Sequence, residues 1–451
     1  MYKPKKIGVV GAGYVGLITA VGFAEIGNKV ICCDIDSNKI EKLKKGYLPI
    51  YEENLQLLLD INLKEKNLIF TDSIKDLIEK SEYLFIAVQT PSNEDGTANL
   101  EYLFNCLQDI ARYMNNYKII IIKSTVPPKT CKKAIEFLKN QLELSGKNFD
   151  FDVVSNPEFL REGNAIFDFF YPDRIIIGTN NEKAKLAMKE LYKFFIDKDF
   201  PILFTNHESS ELIKLSSNAF LATKISFINE LSRVSEKVGA NIKDISKGMG
   251  LDKRIGEKFL EAGPGYGGSC FPKDTKALYY FAKENRITLK IVESAIKANE
   301  DQIKYSVNKI INTMRPIEGK TLTVLGLTFK PNTDDIRESP SIYIIKELIA
   351  AKAIIQAYCF KGIPKARSIF FGEKNIKFCE DVYDSLKDSE ACIIATDWQQ
   401  FKNIDFEMMQ QLMKENNLFD LRNIYYDNPK VKEMFNYFAM GIRTNVSEVL
   451  I

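Results

Sequence analysis

The chain has 451 residues, and 62 Lys and Arg stand against 60 Asp and Glu, a net charge of +2. That balance excludes a general nucleic-acid binder, which needs a basic face, and an acidic disordered chain. Apolar residues at 45% and charged residues at 27% are those of a globular protein, and at roughly 150 residues per domain the length predicts about three domains, or two large ones and a connector.

In chain order, Lys6 to Val10 is a short apolar run and predicts a buried strand. Tyr14 to Ile26 predicts a helix stopped at Gly27, and Lys29 to Cys33 a second strand ending at Asp34. Ile7 to Ala24 carries no charge over 18 residues, near the length of a membrane span. Five of those residues are glycines, however, so strand, tight turn and helix account for the run better and no membrane anchor is expected. Leu84 to Val88 and Ile119 to Ile122 predict further strands, each running into a turn, Gln89-Thr90-Pro91 and Ser124 to Pro128. Val153-Val154 and Arg174 to Ile177 add strands at the far side. Strands alternating with helical stretches predict a parallel, doubly wound sheet.

Glu208 to Val238 contains no Gly or Pro, and Leu212, Leu215, Ala219, Ala222 and Phe227 recur at roughly helical spacing. One long helix of about 45 Å at 1.5 Å per residue is predicted, suited to a spine between two domains. After Gly319 the alternation resumes: Thr321 to Leu325 as a strand, Ser341 to Ala350 as a helix, Ile354 to Tyr358 and Cys392 to Ala395 as strands. A second α/β sheet is expected in the C-terminal third.

The eight cysteines form no C-x-x-C pair and lie at no zinc spacing with a histidine, so no metal is expected and the thiols read as reduced and cytoplasmic. His207 is the single histidine and is read as structural or surface. Acid–base work therefore falls to Lys, Asp, Glu or bound water.

Gly11-Ala12-Gly13-Tyr14-Val15-Gly16 matches G-x-G-x-x-G between a strand and a helix, with Asp34 closing the next strand. Such glycines allow a tight turn, close approach of a pyrophosphate and close helix packing. An acid at Asp34 accepts from a ribose diol and repels a 2′-phosphate, which favours NAD over NADP. Gly263-Pro264-Gly265-Tyr266-Gly267-Gly268-Ser269-Cys270-Phe271-Pro272-Lys273-Asp274 is a Gly-rich loop that delivers a cysteine beside a lysine and an aspartate. A nearby cation stabilises a thiolate, and the thiolate is the nucleophile. The other seven cysteines read as buried packing residues.

Lys214 and Asn218 share a face of the long helix, either as a solvated edge or as a proton donor and its partner. Asn156-Pro157-Glu158-Phe159-Leu160-Arg161-Glu162-Gly163 reads as a capped helix start, with Glu158 and Glu162 on one face. That pair either serves the helix dipole or holds a water or sugar hydroxyls. In Gly326 to Pro340, Lys330 and Arg337 are candidates for meeting phosphates.

These segments, in this order and over nearly the whole chain, resemble the UDP-glucose/GDP-mannose dehydrogenase family. Phe271 after the cysteine is most similar to the UDP-glucose-oxidising members. The resemblance implies an α/β chain of two doubly wound, Rossmann-like domains joined by a long central helix. The expected boundaries are an NAD-binding domain over 1–205, a central helical region over 206–300 and a UDP-sugar-binding domain over 301–451. It implies homodimers built on the long helix, and conversion of UDP-glucose to UDP-glucuronate with two NAD per turnover.

Family roles carried over by matching residue make Cys270 the nucleophile, Lys214 and Asp274 acid–base assistants and Asn218 an oxyanion donor. Thr125 and Glu158 would handle water, and Glu162 would contact cofactor or sugar. Lys39, Thr90, Thr125, Lys273 and Arg337 would join Gly11, Gly13, Tyr14, Val15, Gly16 and Asp34 at the NAD site. Phe159, Leu160, Arg161, Arg254, Phe259, Leu260, Glu261, Ala262, Gly263, Gly267 and Lys330 would line the UDP-sugar pocket beside Glu158, Glu162, Lys214 and Asn218. One departure is that Ala357-Tyr358 continues as Cys359-Phe360-Lys361 where the family usually has Asp-Pro.

Overall fold

A computed structural model describes residues 3–443. The chain divides into two compact units, Met1–Ser217 and Asn218–Ile451.

In the first unit the strands are β1 (Lys6–Val10), β2 (Lys29–Cys33), β3 (Leu68–Thr71), β4 (Tyr83–Ile86), β5 (Lys118–Ile122), β6 (Phe151–Ser155), β7 (Ile175–Gly178) and β8 (Ile202–Thr205). They form one sheet in the order β3-β2-β1-β4-β5-β6-β7-β8. Every pairing is parallel except β6 with β7, which meet antiparallel at Ser155 and Gly178. Every residue of β4 and β5 is buried, because a parallel sheet carries helices on both faces. Side chains alternate across the pleat: Ile119 and Ile121 join one core, Ile120 and Ile122 the other. Fully burying each of these isoleucines contributes about 1.5–3 kcal/mol.

The second unit carries β9 (Thr321–Leu325), β10 (Ile354–Tyr358), β11 (Ile376–Phe378), β12 (Ala391–Ile394), β13 (Asn417–Asp420) and β14 (Asn436–Ala439). Their order is β11-β10-β9-β12-β13-β14, all parallel. This repeats the plan of β3-β2-β1-β4-β5-β6, down to the turn after the first strand. Gly11 N–H donates to Cys33 O at 2.7 Å, and Gly326 N–H donates to Tyr358 O at 2.8 Å. Both glycines have positive φ, 99° and 94°, where a side chain would be strained. In each sheet the strand order reverses beside the first strand, and the crevice at the carboxyl ends there is where ligands bind in such folds.

The long helix runs His207–Val238 without a break. Its first turns bury a polar stripe, His207, Ser210, Glu211 and Lys214, at the i, i+3, i+4, i+7 spacing of one face. His207 is structural: its Nε2 lies 2.8 Å from Val153 O. Cys359, directly after β10, is buried. Phe360 beside it packs against Tyr358, Trp398 and Phe401. No helix among the described residues is long and apolar enough to cross a membrane.

Candidate active site

In the first unit, the dinucleotide turn is built around three glycines with three different needs. A Cβ on Gly11 would stand 2.5 Å from Ala87 O, and one on Gly16 only 1.8 Å from Gly11 O. Gly13, at the N-cap of the helix Tyr14–Glu25, has nothing within 4 Å. The outer glycines therefore serve packing, and the middle one leaves space at a helix N-terminus, the arrangement that receives a pyrophosphate. Asp34 closes the site: Oδ2 accepts from Ala12 N–H at 2.7 Å and pairs with Lys39 Nζ at 3.0 Å. A carboxylate fixed beside the turn fits the ribose of NAD, so these residues suit that cofactor. Tyr14 leads back to buried Glu52, whose carboxylate takes the Tyr14 hydroxyl and the N–H groups of Gly163 and Ala165, both at 2.7 Å. Burial pushes the Tyr14 hydroxyl far up, and the Glu52 and Glu162 carboxylates add to that shift.

The carboxyl ends of β4 and β5 bring Thr90 and Thr125 together, with Thr90 Oγ1 donating to Thr125 O at 2.9 Å. After β6, residues 156–163 run as a loop rather than the expected helix start. Asn156 caps nothing there: its side chain is consumed by Ile176 O, Lys123 Nζ and the Tyr192 hydroxyl. Glu158 and Glu162 consequently share no helix face. Glu158 is buried and pairs with Lys214 Nζ at 2.9 Å. Burial alone would raise the Glu158 carboxyl. The Lys214 ammonium, the Leu160 N–H at 2.6 Å and Lys123 outweigh it and hold the group below the ordinary carboxylate range. Phe159 stacks under Arg174 at 3.7 Å and lies near Lys214 at 5.2 Å. Arg161 is exposed and forked onto Asp168.

In the second unit, Cys270 is the N-cap of the helix Phe271–Glu284, with Pro272 in its first turn. Among the eight cysteines it is the one thiol that is not buried. A helix N-terminus favours a thiolate. By contrast, burial pushes the Cys33 and Cys379 thiols up to about 12 and about 11, and those of Cys32, Cys106, Cys131 and Cys392 higher still. One turn on, fully buried Asp274 accepts from Asn218 Nδ2 at 2.6 Å and from Lys273 Nζ at 2.5 Å.

The Gly-rich loop is held by amides. Gly263 N–H donates to Asn229, Gln302 donates to Gly263 O, and Asn299 takes both sides of Tyr266. Gly267 lies so close to another backbone that a Cβ would stand 2.0 Å from Glu338 O. Its smallness serves this protein contact. Phe259 and Tyr266 flank the Phe271 ring, and Leu260 and Ala262 are core residues. Glu261 pairs with Lys243, and Arg254 with Asp252 in its own turn. Arg337 is forked onto Asp335, and Lys330 lies over the Phe329 ring.

Sequence reasoning passed over Lys123, Glu52 and Glu211. Lys123 had a signal: a charge directly after four isoleucines, at the carboxyl end of a buried strand. Burial holds its ammonium down to about 8 against the pull of Glu158. Among the described residues no cluster of three or more His, Cys, Asp or Glu side chains is placed to hold a metal ion.

Comparison with known proteins identifies the family. Three segments match one family: the UDP-glucose/GDP-mannose dehydrogenase family NAD binding domain over 5–196, its central domain over 208–301 and its UDP binding domain over 323–427. The UDP-glucose 6-dehydrogenase TuaD of Bacillus subtilis (strain 168) is 45% identical over 437 residues, 97% of this chain and 93% of that one. A UDP-glucose 6-dehydrogenase of Rhizobium meliloti (strain 1021) is 42% identical over 97% of this chain and 99% of its own. Among solved structures, a UDP-glucose dehydrogenase from the hyperthermophilic archaeon Pyrobaculum islandicum superposes with a TM-score of 0.89 at 34% identity, covering 99% and 98% of the two chains.

Proposed function

The chain belongs to the UDP-glucose/GDP-mannose dehydrogenase family, and from that premise we propose that it oxidises the terminal alcohol of UDP-glucose to the acid of UDP-glucuronate. The observation that carries the reading is Cys270, the unburied thiol at a helix N-terminus one turn from the Asp274–Asn218 pair. Alcohol to acid is a four-electron change, and NAD, when bound by Gly11, Gly13, Gly16, Asp34 and Lys39, accepts two electrons and a proton at each oxidation.

The protein's own groups do the rest. Deprotonated Cys270 adds to the aldehyde carbon, forming a C–S bond, and the carbonyl oxygen takes up a proton, giving a thiohemiacetal that cannot escape. The second oxidation leaves a thioester on the sulfur. Water then adds, the C–S bond breaks, the thiolate departs and the carboxylate is free. Asn218 and Lys214 serve as donors to the oxyanions, and one such donor is worth about 2.7–4 kcal/mol. Asp274 holds the Asn218 amide and Lys273 in place. Thr125 and ionised Glu158 handle the water.

The relatives' names support the choice of sugar nucleotide. The protein acts in the cytoplasm, where its eight free thiols stay reduced. It works as a homodimer through the long helix. Phe220, Phe227 and Val234 recur every seventh residue along that helix and stay 66, 48 and 56% exposed, an apolar stripe that a second copy would cover.

Counting NADH against sugar across a panel of UDP- and GDP-sugars tests the reading. Two NADH per UDP-glucose consumed is expected; one per sugar, or none, rejects it. Cys270→Ser should make no UDP-glucuronate beyond a first acylation, and full acid production by that variant refutes the covalent route.

A further inference from the structure

The first turns of the long helix carry a carboxylate that this chemistry leaves unused. Glu211 is 2% exposed. Its Oε2 accepts from Lys129 N–H at 2.7 Å and its Oε1 from Cys131 N–H at 2.7 Å. Those donors open the helix Thr130–Leu144, whose own N-cap, Lys129, supplies no side-chain acceptor. Just before them runs the loop that carries Lys123 and Thr125. Three residues beyond Glu211 on its own helix is Lys214, paired with Glu158. One carboxylate thus ties the Thr125 loop to the helix that bears Lys214, and Ser210 beside it adds a 2.9 Å contact to Ser155.

We propose that Glu211 is a positioning residue for the oxidation: in its ionised form it clamps the Thr125 loop onto the Lys214 turn and so sets the registry of the groups that handle protons and water. The inference rests on the function proposed above. A carboxylate that receives two N–H groups at a helix N-terminus holds them by charge-assisted bonds, about twice as strong as neutral ones. The titratable groups that face it are the Cys131 thiol and Glu208 of its own helix; Lys129 offers only its backbone. Burial, with Glu208 adding to it, raises the Glu211 carboxyl to about 7 against the pull of the two N–H groups. The clamp therefore slackens as pH falls through neutrality.

Stability moves the other way. A buried carboxyl with a raised pKa favours the fold when neutral, so stability falls as pH rises from about 4.3 to about 7. Glu211→Gln, a neutral isostere, should therefore melt no lower than the parent at pH 8 while its kcat drops. A misplaced catalytic group costs up to about a hundredfold, and a fall of about tenfold to a hundredfold at pH 8 is expected here. A residue of purely structural weight would not produce that split.

The test is kcat against pH, from 5.5 to 9, for the parent and Glu211→Gln, with UDP-glucose and NAD. The parent should show an acid limb near pH 7 that the variant lacks. A variant that keeps the limb, or that keeps parental kcat throughout, overturns the proposal. If the parent makes no NADH from UDP-glucose, the functional reading fails, and amide exchange of the parent still decides the clamp. After correction for intrinsic rates, protection at Lys129 and Cys131 should fall as pH drops through 7. Protection that holds steady overturns the proposal. The same measurement decides if the variant fails to fold.

Discussion

Removing the ammonium of Lys214 exposes how the first unit holds a buried charge. Lys214 and Glu158 are 4 and 6% exposed and 2.9 Å apart. Lys214→Met leaves Glu158 with Lys123, the Arg174 guanidinium and the Leu160 N–H for support. Breaking a buried pair by removing one partner costs about 3–5 kcal/mol. At about 2–4 °C per kcal/mol for a unit of this size, the midpoint falls by about 6–20 °C.

The pH dependence reverses as well. In the parent, Glu158 sits below its unfolded value, so its contribution is present above about pH 4.3 and is lost as pH falls through the folded value. In Lys214→Met, burial wins and the group rises above that value, so stability declines as pH climbs from about 4.3. Urea unfolding between pH 4.5 and 7.5 measures both effects. Adding Glu158→Gln should restore much of the loss, since a neutral pair leaves no stranded charge. A single variant that loses under about 1 kcal/mol and keeps the parental pH slope would refute the account.

Gly13→Ala should unfold within about 0.5 kcal/mol of the parent yet lose NAD binding by calorimetry, because its Cβ meets no protein atom and fills the space left for the pyrophosphate. Gly16→Ala should lose both, at a cost above about 3 kcal/mol, since its Cβ meets the Gly11 carbonyl. Gly267→Ala should cost a similar amount in the second unit by driving Glu338 O away, read by thermal melting and by lost turnover. Phe220→Asp with Phe227→Asp should give monomers in sedimentation without changing the far-ultraviolet spectrum.

Most of the buried parallel strands were legible because they are continuous apolar runs, but β13 and β14, buried yet only four residues long and begun by Asn, were not read. β1, β2, β9 and β10 fall on their predicted residues, and β4, β5 and β12 within one or two. β3, β8 and β11 escaped because they are three or four residues long and partly exposed, which leaves little pattern to read. The dinucleotide turn and the Cys270 loop were readable from glycine spacing. The reading of 156–163 as a helix start failed because Asn-Pro is an N-cap signal only where the Asn side chain is free to cap. Here Lys123, Tyr192 and Ile176 claim it, and none of these is near it in sequence. The polar stripe of the long helix was hidden by the apolar residues beside it. Helical spacing alone puts Leu212 and Phe227 on the core side, yet they stand 42 and 48% exposed, while Glu211 and Lys214 are inside.

The two sheets repeat one plan, but the residues just past the second strand differ: Asp34 in one, Cys359 and an aromatic cluster in the other. At that position the second copy has a buried thiol where the first has a carboxylate. On the proposed four-electron route the dinucleotide turn of the first sheet must be filled twice, so spent carrier must leave and fresh carrier dock while the half-converted sugar waits. On that proposal the Cys270 sulfur is the mooring during the exchange, and carrier exchange, rather than bond-making, is where turnover can stall.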